Sequence, residues 1–106
     1  FGCATTLRWF PGYPVTNNVP ELVDLVHAKI AEAKGQDAVC PMEAPVMGAE
    51  DFSYYGEKVP ACFFALGLCP EGMDMPNVHE STFDFNDHAI PLGVETMVRL
   101  ALEPLA

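Results

Sequence analysis

"ACFFALG", residues 61–67, is the stretch on which the fold turns. It is a continuous apolar run of strand length, entered from Pro60 and closed by Gly67. Apolar residues without alternation are what a strand covered on both faces requires, and such strands belong to layered α/β cores rather than to sheets with one wet face.

Working upstream, residues 49–55 carry an acidic, aromatic segment bracketed by glycines and read as a short helix, and "DAVCP", residues 37–41, reads as a short buried strand. Before them, Leu22, Val23, Val26, Ile30 and Ala33 fall on one helical stripe, with Asp24, Lys29 and Glu32 elsewhere on the cylinder. Asn18, with Glu21 three residues on and Pro20 in the first turn, supplies the start chemistry of that helix, and Gly35 closes it. "PGYPVTNNVP", residues 11–20, is too rich in proline and asparagine for a helix and reads as an extended crossing segment. Ahead of it, "CATTLRWF", residues 3–10, has the threonines and aromatics of a half-buried strand.

Downstream, residues 68–82 hold two prolines, a glycine and no periodicity, and form a long loop of the kind that often carries function. Ile90, Val94, Met97, Val98 and Ala101 then repeat at helical spacing, with Asp87 as N-cap and Pro91 tolerated in the first turn. Pro104 stops this helix. The order strand, helix, strand, short helix, strand, loop, helix is α/β. Two or three strands are few for a free-standing sheet, so further strands are expected outside this chain.

Composition sets the outer bounds. The chain has 106 residues, half of them hydrophobic, enough for one modest core. Fifteen acidic residues against five basic ones give a net charge of -10, which repels phosphate backbones and argues against nucleic acid as a partner. Cys3, Cys40, Cys62 and Cys69 form no C-x-x-C pair, so a zinc cluster and a disulfide scaffold are both disfavoured, and buried thiols in a reducing cytoplasm are expected. No apolar run is long enough to span a bilayer. The first residue is Phe1 rather than methionine, which leads us to expect truncation or processing.

Three histidines are candidates for chemistry. His27 lies off the apolar stripe of its helix and His88 opens the last helix, and neither position asks for a ligand. His79 sits late in the long loop beyond the apolar strand, where α/β sheets build their sites, with Glu80, Asp84 and Asp87 nearby as acceptors that could fix its tautomer. One imidazole is still not a metal site, since zinc takes three or four protein ligands and no H-E-x-x-H spacing is present. Glu50 and Asp51 are adjacent and so diverge on a helix, which disqualifies them as a carboxylate pair and leaves Asp51 as a cap. There is no G-x-S-x-G elbow around Ser53 or Ser81, no dinucleotide fingerprint and no phosphate-binding loop.

Four stretches in order, "CATTLRWFPGYPVTNN", "PVMGAEDFSYYGEKVPACFFALG", "VHESTFDFND" and "AIPLGVETMVRLAL", resemble the C-terminal quarter of the M20 family of metal-dependent amidohydrolases and peptidases. The likeness is to the subgroup that hydrolyses N-acyl amino acids, hippurate and auxin conjugates, and it covers nearly the whole chain.

This resemblance implies an α/β fold: the C-terminal part of a three-layer α/β/α catalytic domain over residues 17–106, preceded by the last strand of a ferredoxin-like lid domain and a crossing segment over residues 1–16. It implies that His79 is a metal ligand, although Ser81 stands where the family usually has proline. It also implies that Met47, Gly48 and Glu50 line the substrate side of the cleft. Family chemistry uses two divalent ions per subunit, zinc, manganese, cobalt or nickel, while a glutamate base and the other ligands lie upstream of the region represented here. The parent is then expected to be a cytoplasmic hydrolase of N-acyl amino acids or small peptides, with no nucleic-acid or membrane partner and a possible homodimer through the lid, and the 106 residues alone to be inactive. The alternative is a stand-alone, non-catalytic binding domain derived from the same fold.

Overall fold

A computed structural model of the chain describes residues 2–102. Among them the regular elements are α1 (Pro20–Lys34), α2 (Ser53–Gly56) and α3 (Ile90–Ala101), with one-turn 3-10 helices at Gln36–Ala38 and Asp87–Ala89.

Helix α1 forms where the apolar stripe dictates. Pro20 sits in its first turn, where a missing N–H costs nothing, and the carbonyl of Val19 accepts from the N–H groups of Leu22 and Val23 at 3.0 Å each. Val26 is buried on the stripe and Leu22, Val23, Ile30 and Ala33 flank it half-buried, while Asp24 and Glu32 are exposed. Gly35 ends the helix at φ 89°, a left-handed backbone that glycine enters without a Cβ penalty, and its N–H returns to the carbonyl of Ala31. The expected cap is corrected: the N-cap is Val19, and the Asn18 side chain reaches across to Phe63 instead.

Helix α3 lies within the expected span, its expected stop at Pro104 falling outside the described residues, and it is preceded by a 3-10 turn in which the Asn86 side chain, rather than Asp87, accepts the His88 N–H at 3.2 Å. Its packing also differs from a simple core helix. Ile90, Val94, Met97 and Val98, the apolar stripe, lie open to solvent, whereas Leu92, Gly93, Thr96 and Leu100 are half-buried. Helix α3 meets α1 through Glu95, whose carboxylate lies 2.6 Å from Lys34 and 2.9 Å from Arg99. A Cβ on Gly93 would come within 3.2 Å of the Leu66 side chain, so the absence of one lets the helix lie close to the 61–67 run.

Residues 3–10 and 61–67 form no strand ladder among the described residues. Phe63 and Phe64 are exposed, as are Leu7, Trp9 and Phe10, because no second layer lies over them. The reading of residues 37–41 as a buried strand is corrected: Asp37 and Ala38 belong to the 3-10 turn after α1 and Cys40 is exposed. The described residues bury only Val26, Ala61 and Ala89 as core apolar side chains, and the Cα radius of gyration is 18.5 Å, against about 13 Å for a compact domain of this length. The buried-thiol expectation falls with this open packing, since Cys3, Cys40 and Cys69 are exposed and Cys62 is half-buried. Partial burial raises the Cys62 thiol pKa.

Candidate functional site

Two regions gather the residues singled out from the sequence. The first is a groove of about 960 Å³ between the crossing segment, residues 13–18, and residues 42–50, with Phe63 and Ala65 on its floor. Met47, Gly48 and Glu50 all line it. Met47 is 99% exposed and Glu50 half-buried.

Glu50 is held by its own neighbourhood. One carboxylate oxygen accepts the Phe52 N–H at 3.2 Å, and its carbonyl accepts the Ser53 hydroxyl at 2.7 Å and the Ser53 N–H at 3.2 Å. These bonds start α2, a helix too short to stabilise itself without local side-chain help. The cap expected of Asp51 is corrected: the N-cap is Phe52, with no side-chain cap bond, and Asp51 contributes only its carbonyl, to Tyr54. Ser53, 2% exposed, is the buried pin of the turn.

The opposite wall is fastened at both ends. Tyr13 packs edge-on against Tyr54 with ring centroids 5.7 Å apart, while Phe52 packs against Phe63 at 5.3 Å. The Asn18 amide donates to the Phe63 carbonyl and accepts from the Phe63 N–H, both at 2.7 Å, and the Val19 N–H donates to the Ala61 carbonyl at 3.0 Å. Local rules of spacing could not find Asn18, since its partner lies 45 residues away.

The second region is the long loop. Its ends are tied by Asn86, whose amide donates to the Leu68 carbonyl at 2.9 Å while its oxygen holds the His88 N–H. Near its far end residues 77–80 form a turn in which the Glu80 N–H donates to the Asn77 carbonyl and the Asn77 N–H donates to the Glu80 carboxylate. His79 stands third in this turn at φ 74°, the left-handed position that type II turns usually give to glycine or asparagine. Among the described residues no other non-glycine residue has positive φ. A left-handed histidine is held at a cost of about 1–2 kcal/mol, and such strain concentrates at functional positions.

The imidazole is exposed, and a hollow lined by Asp74, Met75, Pro76, Asn77 and Glu80 adjoins its turn. His79 makes no hydrogen bond with Glu80, Asp84 or Asp87 among the described residues, and Glu80 is turned onto Asn77 instead. No three histidine, cysteine, aspartate or glutamate side chains converge among those residues. The donor set present is thus a single imidazole, which does not by itself fit a metal ion. His79 does not line the groove that holds Met47, Gly48 and Glu50. His27 is half-buried on α1 rather than fully on the surface, and His88 is exposed.

Residues 4–103 match the model of peptidase family M20/M25/M40. The chain belongs to that family. Among curated M20 relatives, an IAA-amino acid hydrolase of Arabidopsis thaliana is 32% identical over 92 residues, covering 87% of this chain and 21% of the relative. Thermostable carboxypeptidase 2 of Saccharolobus solfataricus is 37% identical over 93 residues, covering 86% of this chain and 22% of its own. A second Arabidopsis thaliana IAA-amino acid hydrolase is 27% identical over 106 residues, covering 95% of this chain and 23% of its own. The M20 chain therefore spans between a fifth and a quarter of the length of these hydrolases. No solved structure matches it. Among the described residues no helix is long and apolar enough to cross a membrane.

Proposed function

We propose that this chain is the C-terminal part of a metal-dependent amidohydrolase that cleaves the amide bond of an N-acyl amino acid or a small peptide with a metal-activated water. The observation that carries the reading is the family match over residues 4–103, joined to relatives whose names are those of amino acid-conjugate hydrolases and carboxypeptidases. Residues 17–106 would complete a three-layer α/β/α catalytic domain and residues 1–16 the last strand of its lid. The open apolar stripe of α3 and the exposed Phe63 and Phe64 of the 61–67 run support that assignment, because both are surfaces a sheet and its second helical layer would cover.

In this reading Met47, Gly48 and Glu50 meet substrate along the groove, and His79 contributes one donor to a pair of divalent ions, zinc, manganese, cobalt or nickel. Such ions supply Lewis-acid polarisation of the scissile carbonyl and a more acidic water. In this reading the glutamate base and the remaining ligands lie in the rest of the parent protein, so the chain taken alone would not hydrolyse. Its contribution is to present His79 on a turn braced by Glu80 and Asn77, and to frame one side of the cleft.

The experiment is His79→Ala in the full-length enzyme, read by metal content and by hydrolysis of N-acyl amino acids. Loss of one metal equivalent and a fall in turnover by orders of magnitude are expected. Unchanged metal content and activity would remove His79 from the site.

A further inference from the structure

We infer that Asn18 is a positioning residue for the groove, setting the wall formed by residues 13–17 against the Phe63 floor, an inference that rests on the substrate-side reading of that groove. A residue in extended backbone turns its N–H and C=O to the same edge. The Phe63 and Ala61 groups therefore face the crossing segment together, and the Val19 N–H takes the Ala61 carbonyl. Backbone pairing cannot continue past that bond on the crossing segment. The Val19 carbonyl is already spent on α1, which begins at Pro20.

The Asn18 amide supplies the two missing partners. Its nitrogen donates to the Phe63 carbonyl and its oxygen accepts the Phe63 N–H, both at 2.7 Å, so the side chain stands in for a paired residue. Asn18 and Phe63 both line the groove, as do Tyr13, Val15 and Thr16 of the wall it anchors. At the far end of the wall Tyr13 rests on Tyr54, which does not line the groove, and Phe63 is braced from below by Phe52. The wall is thus set from two points. Loss of the Asn18 point frees residues 13–17 to move while the Val19–Ala61 bond and α1 keep the rest in place.

Only an amide satisfies both Phe63 groups. Asn18→Asp keeps the size and the acceptor but sets a second carboxylate oxygen against the Phe63 carbonyl, and Asn18→Ala removes both bonds. Tyr54→Ala loosens the same wall from its other end without touching the groove lining. In the full-length enzyme assayed with N-benzoylglycine, the two Asn18 variants are expected to raise KM about ten-fold, the scale of the two hydrogen bonds lost or opposed, and Tyr54→Ala about five-fold, the scale of one aromatic pair. Expected values of kcat stay within about two-fold and metal content is unchanged, since the wall orients substrate and takes no part in the chemistry. Amide exchange at Phe63 is expected to quicken in Asn18→Ala, which removes the acceptor of the Phe63 N–H, and not in Tyr54→Ala.

Faster exchange at Phe63 with an unchanged KM would show the clamp to be merely structural and overturn the proposal. Exchange at Phe63 no faster than in the parent would overturn it at its geometric root. A parent enzyme that leaves N-benzoylglycine intact while hydrolysing no other N-acyl amino acid would instead bring down the functional reading, and the positioning role with it.

Discussion

Lys34, at the end of α1, lies 2.6 Å from Glu95 in the middle of α3, and the other oxygen of that carboxylate takes both the Nε and the terminal nitrogen of Arg99. The hydrogen bonds from Lys34 and then Arg99 hold the Glu95 pKa below the ordinary glutamate range. A depressed carboxylate contributes stability that is complete above the ordinary glutamate pKa and is lost as pH falls through the lower, folded one. Helix α1–α3 packing is therefore expected to loosen only in acid below the usual carboxylate range. Amide exchange in α1 and α3, compared between neutral and strongly acidic solution, checks this. Glu95→Gln should abolish the difference, and salt should weaken it at neutral pH because the group is exposed.

His79 separates backbone from side chain. At φ 74° glycine is at ease and alanine is not, so His79→Gly is expected to be about 1 kcal/mol more stable than His79→Ala. Both lack the imidazole and should lose metal equally in the full-length enzyme. Thermal unfolding beside metal analysis checks the pair, and equal stabilities would mean that the turn is not left-handed at this residue.

Ser53 is buried and its hydroxyl donates to the Glu50 carbonyl at 2.7 Å. Removing a hydrogen bond of this kind costs about 1 kcal/mol. Ser53→Ala should destabilise by that amount in denaturant unfolding of the full-length enzyme, whereas Asp51→Asn, at an exposed position, should change little.

Produced alone, the 106 residues should associate. Val94, Met97 and Val98 on α3, together with Leu7, Trp9, Phe10 and Phe63, leave more apolar surface open than three buried core residues can balance. Sedimentation is expected to show mass rising with concentration and heating to show no sharp transition. A monodisperse monomer with cooperative melting would instead favour the stand-alone binding domain.

The two long helices were legible because their information is local. A stripe from Leu22 to Ala33 and a glycine at residue 35 place α1 with no knowledge of what packs on it. The stripe on α3 located the helix as well, but spacing could not say that Ile90 and Val94 would face outward, since that depends on which layers are present. Asn18 was misassigned for the same reason: its three-residue spacing to Glu21 is a cap signal, and the competing partner, Phe63, is close only in space. The Asp51 cap failed because the one-turn helix starts at Phe52 with no side-chain cap, the neighbouring Glu50 carboxylate taking the Phe52 N–H before the helix begins. The long loop and its histidine stood out from the residues themselves, whereas Met47, Gly48 and Glu50, which line one groove, came only from the family resemblance. The wall that residues 13–18 build opposite them was not legible, since nothing in proline-rich sequence encodes where an extended segment will come to lie.

The amide of Asn18 also makes the groove vulnerable to time. Spontaneous hydrolysis of that one side chain releases ammonia and leaves an aspartate, with no change in fold and a gain of one negative charge. The oxygen that held the Phe63 N–H survives, while the nitrogen that held the Phe63 carbonyl is replaced by a second oxygen that repels it. On the proposed substrate role of the groove, a stored preparation would age by losing its grip on substrate before it loses any helix, and a mass increase of about one dalton in the peptide carrying residue 18 would be the first sign.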